Sequence, residues 1–176
     1  MPGHPLGAAR GPALLRSVDF ATAPFLVIWE TTQSCALACR HCRASAQPEH
    51  DPGELTTEEG EGLLRQAAEM GTPIFILSGG DPLKRRDLYR LIRYGADRGL
   101  RMATIPAATD RLTEEVVARL KESGLQQMAL SLDFPTAELH DSFRGVPGAF
   151  ARTMRAVEWA HRYDLPLQIN TTLCGE

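Results

Sequence analysis

Long apolar runs and a strong charge of one sign are both missing from this chain of 176 residues. Its longest apolar run, residues 25–29, is far shorter than the ~18 residues of a membrane-spanning helix, and its N-terminus lacks the apolar segment of a signal peptide. Lys and Arg number 19 against 22 Asp and Glu, whereas general nucleic-acid binders cluster basic side chains. We therefore expect a cytoplasmic protein that binds neither membranes nor nucleic acids.

The length and the apolar fraction of 43% suit one folded domain with a hydrophobic core. Residues 1–17 are rich in Pro, Gly and Ala and show no hydrophobic period, so we predict a flexible N-terminal tail there. Regular patterns begin after this segment. We therefore assign residues 18–176 to a single core domain.

Short apolar segments alternate with helical stripes along the core domain. Two of the helices begin after a capping threonine, Thr56 or Thr113, and three end near a glycine. The first apolar segment is continuous, which predicts a strand buried on both faces. Strands and helices that alternate in this way form βα units with a parallel sheet. Five strands are predicted: 25–29, 74–77, 100–105, 128–132 and 167–173.

Three of the four cysteines lie together, immediately after the first predicted strand. Cys35, Cys39 and Cys42 span eight residues, whereas Cys174 is distant. Clustered cysteines in a chain without an export signal indicate metal ligands rather than a disulfide framework. Three thiolates at this spacing can hold an iron–sulfur cluster and leave one iron open to another ligand.

Two other uses of these cysteines remain open at this point. A structural zinc ion could take the three thiolates with His41 or His50 as its fourth ligand. A redox-active dithiol could form from Cys39 and Cys42, but it would leave Cys35 unused. The spacing favours the cluster over both alternatives.

Polar or glycine residues stand at the carboxyl ends of the other predicted strands. In parallel βα folds these ends meet on one rim, where ligands bind. The segments concerned are residues 79–82, residues 131–133 and the stretch around Asn170. We therefore expect the cysteines and these segments to form one site.

The cysteine motif after the first strand, followed by the double glycine, resembles the radical S-adenosylmethionine (SAM) superfamily, in particular its SPASM-type maturases. The resemblance covers residues 18–176. It implies an α/β fold, an incomplete parallel (βα) barrel of the (βα)6 type, with about five strands present. It also implies that Cys35, Cys39 and Cys42 hold a [4Fe-4S] cluster whose open iron binds SAM.

In such enzymes, an electron from the cluster cleaves SAM to a 5′-deoxyadenosyl radical, which abstracts a substrate hydrogen. The resemblance therefore implies an electron donor such as a flavodoxin or ferredoxin, and a peptide or cofactor precursor as substrate. The chain stops just after the fifth predicted strand, so we expect the C-terminal part of the core to be missing. An inactive iron–sulfur-binding fragment, or a structural zinc module, is the alternative.

Residues 79–82, Gly-Gly-Asp-Pro, are similar to the family's Gly-Gly-Glu-Pro segment, which binds the SAM ammonium group. The match assigns Gly79, Gly80, Asp81 and Pro82 to SAM binding. Glycines let backbone carbonyls approach a ligand closely, and a carboxylate adds a charge-assisted hydrogen bond. A plain turn is the alternative reading of these residues.

Five further residues are assigned to SAM by the resemblance. Ser131 and Asp133 match a segment that faces the ribose hydroxyls, and Arg144 matches an arginine that meets the SAM carboxylate. Asn170 lies in a strand that contacts SAM, and His41 lies near the adenine. The alternatives are a turn cap by Asp133, an exposed Arg144 and an Asn170 with a purely structural role.

Three predictions concern residues outside the site. The basic stretch 84–93 is expected to form a solvent-exposed helix face. Met154 and Trp159 are expected to lie in the core, and Cys174 is expected to be a free, buried thiol.

Overall fold

Five parallel strands form one sheet in the computed structural model, which describes residues 18–173. The strands follow one another in chain order across the sheet, and every neighbouring pair is parallel. The predicted α/β class with five parallel strands is therefore confirmed. The N-terminal tail and Cys174 lie outside the described residues. The strands are β1 (Leu26–Glu30), β2 (Ile74–Ser78), β3 (Arg101–Thr104), β4 (Gln127–Ser131) and β5 (Leu167–Asn170).

Helices connect successive strands, so that strands and helices alternate along the chain as βα units. Thr56 begins the first helix with a complete capping box, and Thr113 caps the third through the amide of Val116, as their positions predict. The fourth helix was not predicted, because its sequence carries no apolar stripe. The helices are α1 (Thr57–Glu69), α2 (Leu88–Ala96), α3 (Glu114–Glu122), α4 (Ala137–Arg144) and α5 (Ala149–Arg162), with a short 3-10 turn at Pro82–Lys84.

One face of the sheet packs against the helices and forms the core. Strand residues that alternate along the chain, such as Phe75, Leu77 and Met128, are fully buried there among helical Leu, Ile and Ala side chains. The opposite face carries the intervening residues, and we call it the open face. Leu26 and Ile28 on this face are 37% and 52% exposed, so the prediction that β1 is buried on both faces is wrong.

Two predictions outside the site hold in part and fail at one residue each: Arg86, Arg90 and Arg93 are exposed, and Trp159 packs against the core. Arg85 is buried rather than solvent-exposed, since its guanidinium bonds to Asp87 and to the backbone carbonyls of Thr31 and Leu55. Met154 is 39% exposed, because α5 turns a face of small residues towards the core: Ala149, Thr153, Ala156 and Ala160. None of the helices within residues 18–173 is long and apolar enough to cross a membrane.

Candidate functional site

The segment after β1, residues 31–47, carries the three cysteines, and we call it the cysteine loop. Its first residues are tied to the end of β2, where the amide and hydroxyl of Thr31 both donate to the Ser78 carbonyl, at 2.8 and 3.0 Å. The loop then closes on itself, because the Cys35 amide donates to the Gln47 carbonyl at 2.8 Å. These hydrogen bonds fix the backbone at the first cysteine, Cys35.

The double glycine supports this base from the side of β2. The amide of Gly80 donates to the Thr32 carbonyl at 2.7 Å, and the amide of Asp81 donates to the Ser34 carbonyl at 2.8 Å. A Cβ atom at Gly80 would lie 2.6 Å from the carbonyl oxygens of both Gln33 and Ser34. Glycine is therefore required here by close approach of the cysteine loop.

The end of α4 supports the loop from the other side. The amides of Ala38 and Arg40 donate to the carbonyls of Arg144 and Phe143, at 3.3 and 3.2 Å. Gly145 ends α4 in the left-handed conformation, with φ at 71°, and a Cβ atom there would lie 2.5 Å from the Ala38 carbonyl. The unpredicted helix α4 thus positions the segment on both sides of the second cysteine, Cys39.

All three thiols line one cavity of about 230 Å³ at the carboxyl ends of the strands. Each sulfur accepts a hydrogen bond, two of them from backbone amides and the third from a guanidinium. The amide of Leu37 donates to Cys35 at 3.3 Å, the amide of Ala46 to Cys42 at 3.4 Å, and the Arg144 guanidinium to Cys39 at 3.7 Å. Such donors stabilise thiolates and tune iron–sulfur clusters.

The donor set fits a polynuclear cluster better than a single zinc ion. The three thiols are free, and within residues 18–173 no three Cys, His, Asp or Glu side chains gather around one point as a mononuclear site requires. His50, one of the possible zinc ligands, bonds to Glu54 at 3.0 Å instead. Burial raises the pKa of the Cys35 thiol, so this sulfur needs a metal to become a thiolate at neutral pH.

His41 also lines the cavity. Its ring stacks on Phe143 with centroids 4.2 Å apart and an angle of 7° between the planes. Its Nδ1 atom is buried and has no hydrogen-bond partner in the described part of the chain. Burial, with Arg144 nearby, lowers the pKa of His41, so the ring is neutral and offers a flat surface at the cavity wall.

Asp81 does not face the cavity, although the sequence assigns it to ligand binding. Its side chain is fully buried and accepts hydrogen bonds from the Thr109 hydroxyl at 3.0 Å and from the amides of Leu83 and Ala107 at 3.1 and 3.4 Å. Burial raises the pKa of this carboxyl. Asp81 therefore joins the loop after β2 to the loop after β3. The aspartate, which is one methylene shorter than the glutamate of the family motif, bonds to these neighbours and does not reach the cavity.

Asp133 and Arg144 are paired with each other. The Nε and Nη2 atoms of Arg144 lie 2.8 and 2.6 Å from one carboxylate oxygen of Asp133, and the Thr172 amide donates to the other at 3.0 Å. The Asp133 side chain is only 1% exposed, and the hydrogen bonds that it accepts come from within the protein. Arg144 is buried rather than solvent-exposed, and its remaining Nη1 atom reaches Cys39 at the cavity wall.

The other predicted residues divide between the cavity and its surroundings. Gly79, Gly80 and Ser131 line the cavity beside the cysteines. Pro82 begins the 3-10 turn, and Asn170 accepts a hydrogen bond from Gln168 at 2.7 Å on the open face. The sequence interpretation missed other lining residues that carry no recognisable motif, namely Glu30, Arg43, His140 and the segment 105–108.

Comparison with known proteins identifies relatives of this chain. The family model for the radical SAM superfamily matches residues 29–176. An AdoMet-dependent heme synthase of Oleidesulfovibrio alaskensis is 47% identical over 95% of this chain and 42% of its own length. Another, from Nitratidesulfovibrio vulgaris, is 44% identical over 98% of this chain and 46% of its own length. The chain therefore spans less than half the length of these curated relatives.

A solved structure shares the fold. The Streptococcus suis protein SuiB, crystallised with its precursor peptide SuiA, has a TM-score of 0.76 over 88% of this chain and 34% of SuiB, at 20% identity. At this identity the likeness concerns the fold alone. It confirms the expected fold class, an incomplete parallel (βα) barrel.

Proposed function

The chain belongs to the radical SAM superfamily, and we propose that it is the SAM-cleaving core of an enzyme that acts on an iron tetrapyrrole. Membership of this family confirms the expected cofactors, a [4Fe-4S] cluster and SAM. The single observation that carries the site assignment is the cavity at the strand ends. It is lined by three free thiols, each already holding a hydrogen-bond donor.

In this proposal Cys35, Cys39 and Cys42 hold the cluster. When bound, the cluster would supply the electron that cleaves SAM to methionine and a 5′-deoxyadenosyl radical. The cysteine loop contributes order, because its base and its middle are both fixed by backbone hydrogen bonds to the rest of the protein. A preorganised ligand set binds without a further cost of loop ordering.

Around the cysteines, the cavity offers groups of the kinds that SAM requires. The backbone of Gly79 and Gly80 and the hydroxyl of Ser131 can hydrogen-bond polar groups, and the ring of His41 can pack against the adenine. Arg144 brings a positive charge to the same wall and would attract the SAM carboxylate. We assign Asp81 and Asp133 to positioning, since their carboxylates are fully used within the protein.

The substrate class rests on the sequence relatives. Two heme synthases match this chain at 44–47% identity, whereas a PqqA peptide cyclase and a mycofactocin maturase match at 31% and 36%. Retained identity at this level favours a tetrapyrrole over a peptide as the substrate. The clustered free cysteines fit a reducing compartment such as the cytoplasm. The proposed cluster must be reduced before it can cleave SAM, so we expect a protein electron donor such as a flavodoxin or ferredoxin.

The test is turnover by anaerobically reconstituted protein. Iron and sulfide are measured first, and about four of each per chain are expected, against one zinc and no sulfide for a structural zinc module. Dithionite and SAM are then added, and 5′-deoxyadenosine is quantified with and without an iron porphyrin. Cys39→Ala serves as the control for cluster-dependent formation.

Each outcome separates the alternatives. Formation of 5′-deoxyadenosine that increases with the porphyrin supports the proposal, whereas an increase only with a peptide would move the substrate to the class of SuiA. A fully loaded cluster that forms no 5′-deoxyadenosine would identify the chain as an inactive iron–sulfur-binding fragment.

A further inference from the structure

The open face of the sheet is divided into an apolar and a polar half. On β1 and β2 it carries Leu26, Ile28, Ile74 and Ile76, which pair in register, Leu26 beside Ile74 and Ile28 beside Ile76. Leu26 is 37% exposed and Ile28 is 52% exposed on this face. An apolar surface of this kind, on the first two strands of the sheet, is suited to a flat apolar ligand.

The polar half runs across the other three strands as one chain of hydrogen bonds. The Arg101 guanidinium donates to the Gln127 side chain at 3.4 Å, Gln127 donates to Gln168 at 3.1 Å, and Gln168 donates to Asn170 at 2.7 Å. Each acceptor amide orients the next donor. The row therefore fixes the directions of its side chains on the open face.

Arg101 stands at one end of this row without a counter-ion. Within residues 18–173, none of the ion pairs includes Arg101, and its one side-chain hydrogen bond is the long one to Gln127. The residue is half-buried at the start of β3, next to Ile74 in register. A guanidinium beside apolar side chains is stabilised by an anion, and its planar fork suits a carboxylate.

Arg101 also lies at a useful distance from the cysteines. Arg101 pairs with Ile74 in the sheet, and Ile74 lies four residues before Ser78, which lines the cavity. At about 3.3 Å per residue, Arg101 is therefore roughly 13 Å from the cavity along the strand direction. A ligand on the open face can therefore contact Arg101 at one end while its other end reaches the cavity.

We propose that Arg101 is the carboxylate anchor of the substrate site. It holds a propionate of the tetrapyrrole while the macrocycle lies on the apolar half formed by Leu26, Ile28, Ile74 and Ile76. This inference rests on the proposed function for the class of substrate. It adds the residue that orients the substrate, and it assigns the row of amides the task of holding Arg101 in place.

The test is equilibrium binding of zinc protoporphyrin IX, a redox-inert heme analogue with free propionates, followed by its fluorescence. The cluster-loaded protein is compared with Arg101→Gln and Arg101→Lys, and the dimethyl ester of the same porphyrin serves as the ligand without carboxylates. Arg98→Gln is the matched control, because Arg98 is an exposed arginine that stacks on Tyr94 away from the open face.

The expected result is a loss of about tenfold in affinity for the free acid in Arg101→Gln, a smaller loss in Arg101→Lys, and none in Arg98→Gln. The ester should bind wild type and Arg101→Gln equally, and SAM affinity and the melting temperature should stay unchanged. Equal affinity of wild type and Arg101→Gln for the free acid would overturn the role of Arg101 and leave the proposed function intact. Failure of the wild type to bind either porphyrin would refute both.

Discussion

Replacing Gly80 by alanine tests whether the double glycine holds the cysteine loop. The new Cβ atom would lie 2.6 Å from two carbonyl oxygens, those of Gln33 and Ser34, and neither belongs to a flexible side chain. The two segments must therefore separate. Separation stretches the hydrogen bond from the Gly80 amide to Thr32 and the one from the Asp81 amide to Ser34, which are 2.7 and 2.8 Å long.

The expected cost follows from these two effects. Overpacking of a close contact costs about 1–3 kcal/mol, and weakening a buried hydrogen bond adds about 1 kcal/mol, so we expect roughly 2–4 kcal/mol in total. Because a loop can open while the sheet stays folded, most of this cost should appear as local loosening of the cysteine loop. Cluster assembly is therefore the more sensitive readout, and global unfolding is the less sensitive one.

The assay is iron and sulfide content after anaerobic reconstitution, together with urea unfolding of the same samples. Gly62→Ala is the matched control: Gly62 lies within α1, and a Cβ atom there has no neighbour within 4 Å. This change should leave the iron content at the wild-type level and raise the free energy of unfolding by about 0.5–1 kcal/mol. If Gly80→Ala takes up as much iron as Gly62→Ala, the double glycine does not support the loop.

Three further predictions follow from the site. Single replacement of Cys35, Cys39 or Cys42 by alanine should abolish the reconstituted iron and its visible absorption, whereas Cys174→Ala should keep both; wild-type iron in any of the three would remove that residue from the ligand set. Arg144→Lys keeps a charge beside Asp133 but loses the planar fork, so SAM affinity measured by anaerobic titration should fall about tenfold, and unchanged affinity would exclude Arg144 from the SAM site. The raised pKa of Asp81 means that the folded state holds its proton more tightly than the unfolded state, so the free energy of unfolding should fall as pH rises from the ordinary aspartate pKa to the raised one. Asp81→Asn should flatten urea midpoints over this window, and an unchanged pH profile would contradict the assignment.

Local patterns were sufficient to predict the strands, the capped helices and the cysteine motif. These features depend on neighbours in the sequence: alternation of apolar segments, a threonine three residues before a glutamate, and the spacing of three thiols. Helix α4 could not be predicted in this way, because it is polar and short. Tertiary contacts hold it, among them the hydrogen bonds from Ala38 and Arg40 to its last turn.

The roles of the acidic residues were predicted less well, for a physical reason. A motif gives the residue type at a position but not the direction of its side chain, which depends on partners distant in sequence. Asp81 meets Thr109, 28 residues further on, and Asp133 meets Arg144 across a turn and a helix. No sequence motif marks Arg101 as a site residue. Only the register of β3 beside β2 places it on the open face.

The supports of the cysteine loop explain why the motif glycines and the cysteines belong together. Both supports act through backbone groups: Gly80 on the side of β2 and Gly145 at the end of α4 each approach a carbonyl of the loop too closely for any side chain. Backbone contacts of this kind fix the path of the loop without specifying its side chains. The loop can therefore vary at an exposed position such as Ala36, while the three sulfurs keep their places relative to the strand ends. The cavity that would hold the cluster is, on this argument, a property of the sheet and of α4 as much as of the cysteines.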